Sequence, residues 1–454
     1  QVFPALSVGF SWSRKNSRYL PEKGMGIEEN EEFSVKKWEI DNKKIDPIIK
    51  TIKKSDEIFL ALDPDREGEL IAWHLIEICK EKKLTDNRSF KRIEFSAIRK
   101  EDIINAIKNP REINQDLVNA AITRRFLDRF FGYKISPITK RRTIFGNSAG
   151  RVQSPTLKIL CEKEKEIDLF IEKEYWELDI TLNDKQNNTV LCDLVSILNK
   201  KFNKLSVENK VQAEKLKERI SNSKFLVDSI VKREKRRQPY SPYSNSLLLQ
   251  DASSKLGFSP KYTNAIAQQL KDGDGMGGLG ALITYHRTDS NRMKNSEVLK
   301  LRELISSTIG ENYVSEKEII YKEKSKFVQQ GHEAVTPTQL KRKPDDIRDK
   351  LSPDQFKLYD LIWKRTIASQ MKPSKSLETL YYLKSEDFLL KASGSIKIFD
   401  GFKKIYNFSD NKEDSQILPN LEKDEKLEVK KLGIKQNFTK PPNRYSEAGL
   451  IKKL

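Results

Sequence analysis

The feature that most narrows the possible folds is a β pattern that stops and later resumes. From about 175 to 235 the sequence runs through EYWELDITL and TVLCDLVSIL, joined by the polar turn NDKQNN, and then into the charge run KREKRR. Short runs rich in β-branched and aromatic residues, broken by turn formers, read as strands. Text of the same character returns at 377–432, in LETLYYLKSEDFLLKASG and EKLEVKKLGI. The stretch between, about 240–370, reads as helical and carries a glycine cluster, GDGMGGLG, just before ALITYHRTDS. The two β stretches are expected to form one domain with a helical one inserted into it.

Upstream, from 46 to about 110, strand and helix alternate. DEIFLALD suits a buried strand and ELIAWHLIEICKEK has apolar residues at helical spacing, so an α/β domain is expected. From about 111 to 170, ITRRFLDRFFGYKISPITKRR and SAGRVQSPTLKILCEKEKEI read as a basic helical domain. A chain of 454 residues divides into about three domains at roughly 150 residues each, and 37% hydrophobic content excludes disorder as its main state. Lysine plus arginine outnumber acidic residues by 85 to 66, and the net charge of +19 points to a polyanionic partner. No run approaches the ~18 apolar residues of a membrane span, and the opening QVFPALSVGFSWSRK lacks the apolar core and cleavage site of a signal peptide. A cytoplasmic protein is expected. Cys79, Cys161 and Cys192 lie far apart without a CxxC, which argues against a disulfide framework and a zinc ribbon and leaves oxygen ligands for any metal. Gln1 at the start and the helix-like SEAGLIKKL at the end give the sequence the look of a piece of a longer protein.

Asp63, Asp65 and Glu67 stand at i, i+2, i+4 in ALDPDREGELIAWHL, where the apolar strand gives way to a helix. Ligands of open α/β sheets gather at that edge, and carboxylates converging there suit a hard cation such as Mg²⁺. An acidic helix N-terminus held by the helix dipole accounts for the same spacing without a metal. Gly68 lets the backbone turn closely. Tyr285, Arg287 and Asp289 alternate in ITYHRTDS and share one face if the segment is extended. A phenol beside a guanidinium can attack a phosphate that the guanidinium grips, whereas an ordinary strand tyrosine beside a surface ion pair gives the same letters. Of the three histidines, His332 in QQGHEAVTPT is the one placed for proton relay or phosphate contact; His74 reads as a packing residue, and His286 should face away from Tyr285. Arg124, Arg125, Asp128 and Arg129 fall at helical spacing, and Arg151, Gln153 and Ser154 follow a glycine turn in SAGRVQS. Both groups suit a nucleic-acid backbone or a solvated basic face. No GxxxxGK[ST] occurs, so strand chemistry here has to conserve its own bond energy, as a phosphotyrosine intermediate does.

Taken together, DPDREGELIAWHL, RRFLDRFFGY, SAGRVQS, ITYHRTDS, GHEAVTPT and PPNRYSEAGLIKKL resemble, in order, the signatures of type IA DNA topoisomerases, nearest to the bacterial topoisomerase I branch; GRVQSPTL leans toward the topoisomerase III branch. The resemblance spans nearly the whole chain. It implies a multidomain α/β plus α plus β fold forming a torus. The toprim α/β domain would cover 1–112, without its first strand, and a winged-helix-like domain would begin at 113–172. A β-rich arch would take 173–240 and return at 373–434, with the helical domain of the catalytic tyrosine at 241–372. The winged-helix-like domain would return, truncated, at 435–454. By this resemblance Tyr285 is the nucleophile that forms a 5′-phosphotyrosine, Arg287 stabilises the scissile phosphate and His332 assists. Asp63, Asp65 and Glu67 hold Mg²⁺. Arg92, Arg125 and Arg129 contact the cut strand, with Asp128 orienting them; Arg151, Gln153 and Ser154 line the strand-binding groove, and Asp289 belongs to the same DNA-binding set. The implied activity is ATP-independent cleavage, passage and religation of single strands, relaxing negatively supercoiled DNA, by a monomer at the nucleoid. Alternatives are a toprim nuclease or primase-like enzyme, which would need no tyrosine, and a catalytically silent DNA-binding fragment. The family's opening strand, with its glutamate and lysine, would lie upstream of Gln1, so the general acid is expected to be missing. Gly9-Phe10 replaces the family's Gly-His before an unusual SWSRKNSRYLPEKGMGI, and any zinc ribbons would lie past Leu454.

Overall fold

The computed structural model describes residues 42–95, 97–144, 146, 148–273, 277–321, 333–407 and 416–454. The Gly9-Phe10 segment and His332 lie outside them. The first region is a βαβ unit. Helix α1 (Asn42–Ile52) leads to β1 (Glu57–Leu60), α2 (Arg66–Glu81) and β2 (Ser89–Arg92), and β1 and β2 pair in parallel with Leu60 opposite Arg92. Ile45, Ile49 and Ile52 repeat along one face of α1 and pack on Ile78 and Cys79 of α2. The other side of α2 buries Leu70 against Val118 and Ala121 of α4 (Gln115–Arg142), reached through α3 (Lys100–Lys108). Helix α2 is thus held from two sides, which fixes the chain entering it. A further helix, α5 (Gln153–Asp168), follows, with none of its residues buried.

The interrupted β pattern resolves into one seven-stranded antiparallel sheet. Strands β3 (Glu174–Asn183), β4 (Thr189–Ile197), β5 (Lys200–Lys201) and β6 (Phe225–Arg237), with α6 (Lys210–Ser221) before β6, come from the first stretch. Strands β7 (Ser374–Lys384), β8 (Phe388–Phe399) and β9 (Lys426–Phe438) come from the second. The order is β3-β9-β6-β7-β8-β4-β5, and a further β3–β4 pairing joins the start of that order to its far side. Alternate residues Ile180, Leu182, Val190, Cys192, Phe225, Val227, Tyr381 and Leu383 form the core, as a period of two requires.

Between β6 and β7 lies the helical insertion: α7 (Asn245–Leu256), α8 (Pro260–Asp272), α9 (Asn295–Thr308) and α10 (Pro353–Ala368) around Leu248, Ile266, Leu282, Leu301, Leu358 and Ile362. Helix α10 begins with a reciprocal capping box between Ser352 and Gln355 and with Pro353 in its first turn. The insertion leaves the sheet at Arg237 and re-enters at Ser374, and these two residues are register partners. Just inside that root, Asp251 accepts hydrogen bonds from Tyr243 (2.8 Å), Tyr406 (2.6 Å) and Lys255 (2.6 Å), and Arg365 donates to Tyr406 and to the Ser241 carbonyl. The chain closes with α11 (Glu447–Lys453). Among the described residues no helix is long and apolar enough to cross a membrane.

Candidate active site

The edge after β1 is built for one backbone geometry. Asp65 caps α2, its Oδ1 accepting from the Gly68 amide at 2.8 Å, a cap that contributes about 1 kcal/mol. Gly68 has to be glycine: a Cβ there would stand 2.2 Å from the Asp63 carbonyl oxygen. Arg92 supports the turn from behind. It was expected to touch the cut strand, but it is buried, 1% exposed, and its guanidinium donates to the carbonyls of Leu60, Leu62, Asp63 and Ile93. Its position at the end of β2, opposite Leu60, directs the side chain inward, so it positions the acidic turn. Glu69 balances it at 3.0 Å and also accepts from Arg111 and the Asn114 amide, each at 2.7 Å. Burial opposes the Glu69 charge, but hydrogen bonds from Arg111, Asn114 and Arg92 outweigh it and hold the carboxyl below its usual range.

Tyr285 approaches this edge from the insertion. It is not on a regular strand; the segment is held by an isolated bridge between Ile283 and Pro337 and by bonds from Thr284 to Thr336 and Ala334. Its hydroxyl, on a side chain 5% exposed, donates to Asp65 Oδ2 at 2.6 Å. Burial first, then the Asp65 hydrogen bond and the charges of Asp65 and Asp63, push the phenol well above its ordinary value, while Arg287 pulls it down. Lys271, in the last turn of α8, places Nζ 2.6 Å from Asp63 Oδ1 and 5.0 Å from the centre of the Tyr285 ring. Gly273 ends that helix with a left-handed φ of 80°. His286 is fully buried, 6.1 Å from the Tyr285 ring, and burial lowers its pKa to about 3, so it stays neutral. Neither of its ring nitrogens has a hydrogen-bond partner among the described residues. His74 is buried and neutral for the same reason.

The other predicted residues surround this contact. Arg287 and Asp289 are exposed beyond Tyr285. Arg125 on α4 meets Glu67 at 3.2 Å, because α2 and α4 pack together. Asp128, expected to orient Arg125 and Arg129, instead receives a two-pronged contact from Arg151 at 2.7 and 3.3 Å, since it faces the turn before α5. Arg129 lies over the Tyr133 ring at 5.1 Å. At the start of α5, Gln153 contacts Ser148 at 3.3 Å and Ser154 Oγ accepts from the Gly150 amide at 3.3 Å. The three carboxylates expected to hold Mg²⁺ do not converge: Asp63 is taken by Lys271, Asp65 by Tyr285 and its own helix, Glu67 by Arg125. Among the described residues no group of three or more His, Cys, Asp or Glu is placed to hold a metal ion. With each carboxylate paired in this way, the residues do not fit a three-carboxylate Mg²⁺ site.

A polar seam continues the contact between the α/β region and the insertion. Arg99 donates to the Thr338 carbonyl at 3.0 Å and lies 3.7 Å from Glu297, while Lys294 bridges Asp102 (3.2 Å) and Glu333 (2.7 Å). Sequence reasoning passed over Lys271, Glu69 and Arg111. Glu69 lay inside a motif already singled out, so its place one residue after Gly68 was a usable signal. Lys271 is 208 residues from Asp63 and Arg111 is 42 from Glu69, and no local pattern links either pair.

Known proteins resemble the chain along its length. A family model described as DNA topoisomerase matches residues 112–454, and one described as Toprim domain matches 12–98. DNA topoisomerase 1 of Rickettsia felis is 42% identical over 448 residues, 96% of this chain and 58% of that protein. DNA topoisomerase 1 of Campylobacter jejuni is 38% identical, covering 97% of this chain and 62% of that one. The solved structure of full-length topoisomerase I from Thermotoga maritima superposes with a TM-score of 0.78 at 36% identity, over 96% of this chain and 69% of that one. The chain spans less than two thirds of the length of these curated relatives.

Proposed function

The chain belongs to the type IA DNA topoisomerase family, and from that premise we propose that it cleaves and rejoins single DNA strands with Tyr285 as the nucleophile. The observation that carries this reading is the 2.6 Å hydrogen bond from the Tyr285 hydroxyl to Asp65, which joins an otherwise inert phenol to an acidic sheet edge. Protonated and buried, the phenol does not attack; Asp65 is placed to draw off its proton as the oxygen approaches phosphorus. Attack forms the Tyr285 O–P bond and breaks the P–O3′ bond, and the phenolic proton ends, in net terms, on the released 3′-hydroxyl. Arg287, exposed beyond Tyr285 and drawing its phenol down by charge, is the guanidinium assigned to grip the phosphate. The 3′-hydroxyl later reverses the attack, so no nucleotide triphosphate is consumed. The substrate is the single-stranded region of negatively supercoiled DNA, drawn by the +19 charge and met by Arg125, Arg129, Arg151, Gln153 and Ser154. A monomer forming a torus, acting on nucleoid DNA in the cytoplasm, completes the proposal. No step here passes through Mg²⁺.

Incubation with 3′-end-labelled single-stranded DNA, followed by denaturation, tests the reading. Label retained on the protein and lost in Tyr285→Phe supports it. Free ends without attached protein mark a toprim-type nuclease instead, and salt-dependent binding without cleavage marks a silent DNA-binding protein.

A further inference from the structure

The charge run KREKRR takes no part in the proposed strand chemistry. It forms the second half of β6, where the sheet narrows to a ribbon of three strands. Among the described residues β9 pairs with β6 only at Phe225 and Leu226, and β4 pairs with β8 no further than Lys391. Beyond those points β6, β7 and β8 run on together toward the root of the insertion. Register assigns their faces. Tyr381 belongs to the core, so the even-numbered residues of β7 point the other way and their partners go with them. That outer face carries Arg233 opposite Glu378, Lys235 opposite Ser376 and Arg237 opposite Ser374, and from β8 it takes Ser395 and Lys397.

Glu378 is the one carboxylate in this group, and Arg233 takes it. The Arg233 hydrogen bond, with the charges of Arg233, Lys235 and Lys391, holds that carboxyl below its usual range, in keeping with cations gathered on its side of the ribbon. Lys235 and Lys397 are exposed, and neither lies within ion-pair distance of a carboxylate among the described residues. The reverse face differs, since there Glu234 takes both Arg236 and Lys375. Acidic side chains return only at the far end, where Asp193 is the register partner of Lys391. Cations two residues apart on a strand stand about 6.8 Å apart and repel one another, and an extended polyanion relieves that repulsion. The serine hydroxyls between them add donors for phosphate oxygens without adding charge. We propose that this outer face of β6, β7 and β8 is a second DNA-backbone surface, on which Arg233, Lys235 and Lys397 with Ser376 and Ser395 hold phosphodiester oxygens without reading sequence. It shares no residue with α4 and α5, to which the strand at Tyr285 is assigned, so it takes a further stretch of DNA. The proposal rests on the function reading only for the polyanion being DNA.

The test uses the full chain carrying Tyr285→Phe, so that no strand becomes attached, and follows the fluorescence anisotropy of a long labelled single-stranded oligonucleotide across a salt series. Lys235→Gln with Lys397→Gln should weaken binding and flatten the slope of log affinity against log salt by about 1.4, the counterions of two contacts. Two unrelated sequences of equal length should respond alike. Lys215→Gln with Lys217→Gln on α6, exposed lysines whose loss removes the same charge, should leave the slope as it was. An unchanged slope in the ribbon variant, or an equal change in the α6 variant, overturns the proposal. So does a matching loss of affinity for labelled polyglutamate, which marks a surface for acidic proteins, and so does self-association with DNA binding intact, which marks the lysines as guards of exposed strand edges. Because binding is read without covalent attachment, these outcomes are independent of whether label transfers to Tyr285.

Discussion

The Tyr285 hydroxyl and the Asp65 carboxylate meet at 2.6 Å across 220 residues of sequence, and that single bond joins two domains at the point where chemistry is proposed. Asp65 therefore has two tasks, capping α2 and accepting from the phenol. Asp65→Asn should keep much of the cap, since asparagine caps nearly as well, yet remove the proton acceptor. Covalent labelling by Asp65→Asn should fall by about 10²-fold or more, the usual scale of a positioned base. A variant labelling at the wild-type rate would remove Asp65 from the mechanism.

Gly68→Ala places a methyl group 2.2 Å from the Asp63 carbonyl oxygen. Either the turn or the first turn of α2 has to move, at a cost of about 1–3 kcal/mol. The urea midpoint should drop accordingly, and covalent labelling should fall further than stability alone explains, because Asp63 and Asp65 shift together.

Glu69 and Arg92 form an ion pair with both side chains fully buried. Removing one partner strands the other, so Glu69→Gln should destabilise the protein by about 3–5 kcal/mol. Glu69 also sets an acid limit. Its folded pKa lies below the unfolded value of 4.5, so its contribution is complete above that value and is lost as pH falls through the folded one. The stability difference between wild type and Glu69→Gln should narrow across that window in acid denaturation series.

Alkaline solution should weaken the fold through its tyrosines. Burial raises the phenols of Tyr285, Tyr321, Tyr359 and Tyr406 above the ordinary value of 10.0. The unfolded chain then gives up protons first: stability is complete below about pH 10 and declines as pH rises toward the folded values, by at most about 1.4 kcal/mol per pH unit for each phenol. Melting temperatures between about pH 8 and 11 should fall less steeply for Tyr285→Phe. Parallel curves would show that Tyr285 is not held protonated by the fold.

The seam between α3 and α9 is polar, with Lys294 shared by Asp102 and Glu333 and Arg99 beside Glu297. Contacts of this kind part into water at small cost and weaken with salt. Spin labels on the exposed faces of α3 and α9 should report a larger separated population at high ionic strength, and Lys294→Ala should raise it at low salt. A distance distribution indifferent to both would show that the seam does not hold the domains together.

The sequence was most informative where the physics is local. The alternation in EYWELDITL and LETLYYLK marked β3 and β7, and the turn from DEIFLALD into DREGELIAWHL marked β1, α2 and the acidic edge between them. The need for glycine at 68 was likewise legible. What it concealed was partnership. Arg92 was given to the cut strand by resemblance, and its letter and neighbours carry no hint that four backbone carbonyls converge on it. Asp63, Asp65 and Glu67 looked like a metal set because spacing along the chain does not reveal that Lys271, Tyr285 and Arg125 arrive from elsewhere. Tyr285, Arg287 and Asp289 do alternate, but only the tyrosine is buried; the segment is held by one isolated bridge and by bonds from Thr284 rather than by a continuous strand ladder.

The pairing of Arg237 with Ser374 has a mechanical corollary. Both ends of the insertion are moored at one spot, on neighbouring strands bonded to each other over the whole length of β7. A tensed DNA strand tugging on Tyr285 would load those two strands side by side, so neither is peeled from its neighbour. The insertion is tethered like a pendant on a doubled cord, free to swing while the sheet above it keeps its hydrogen bonds.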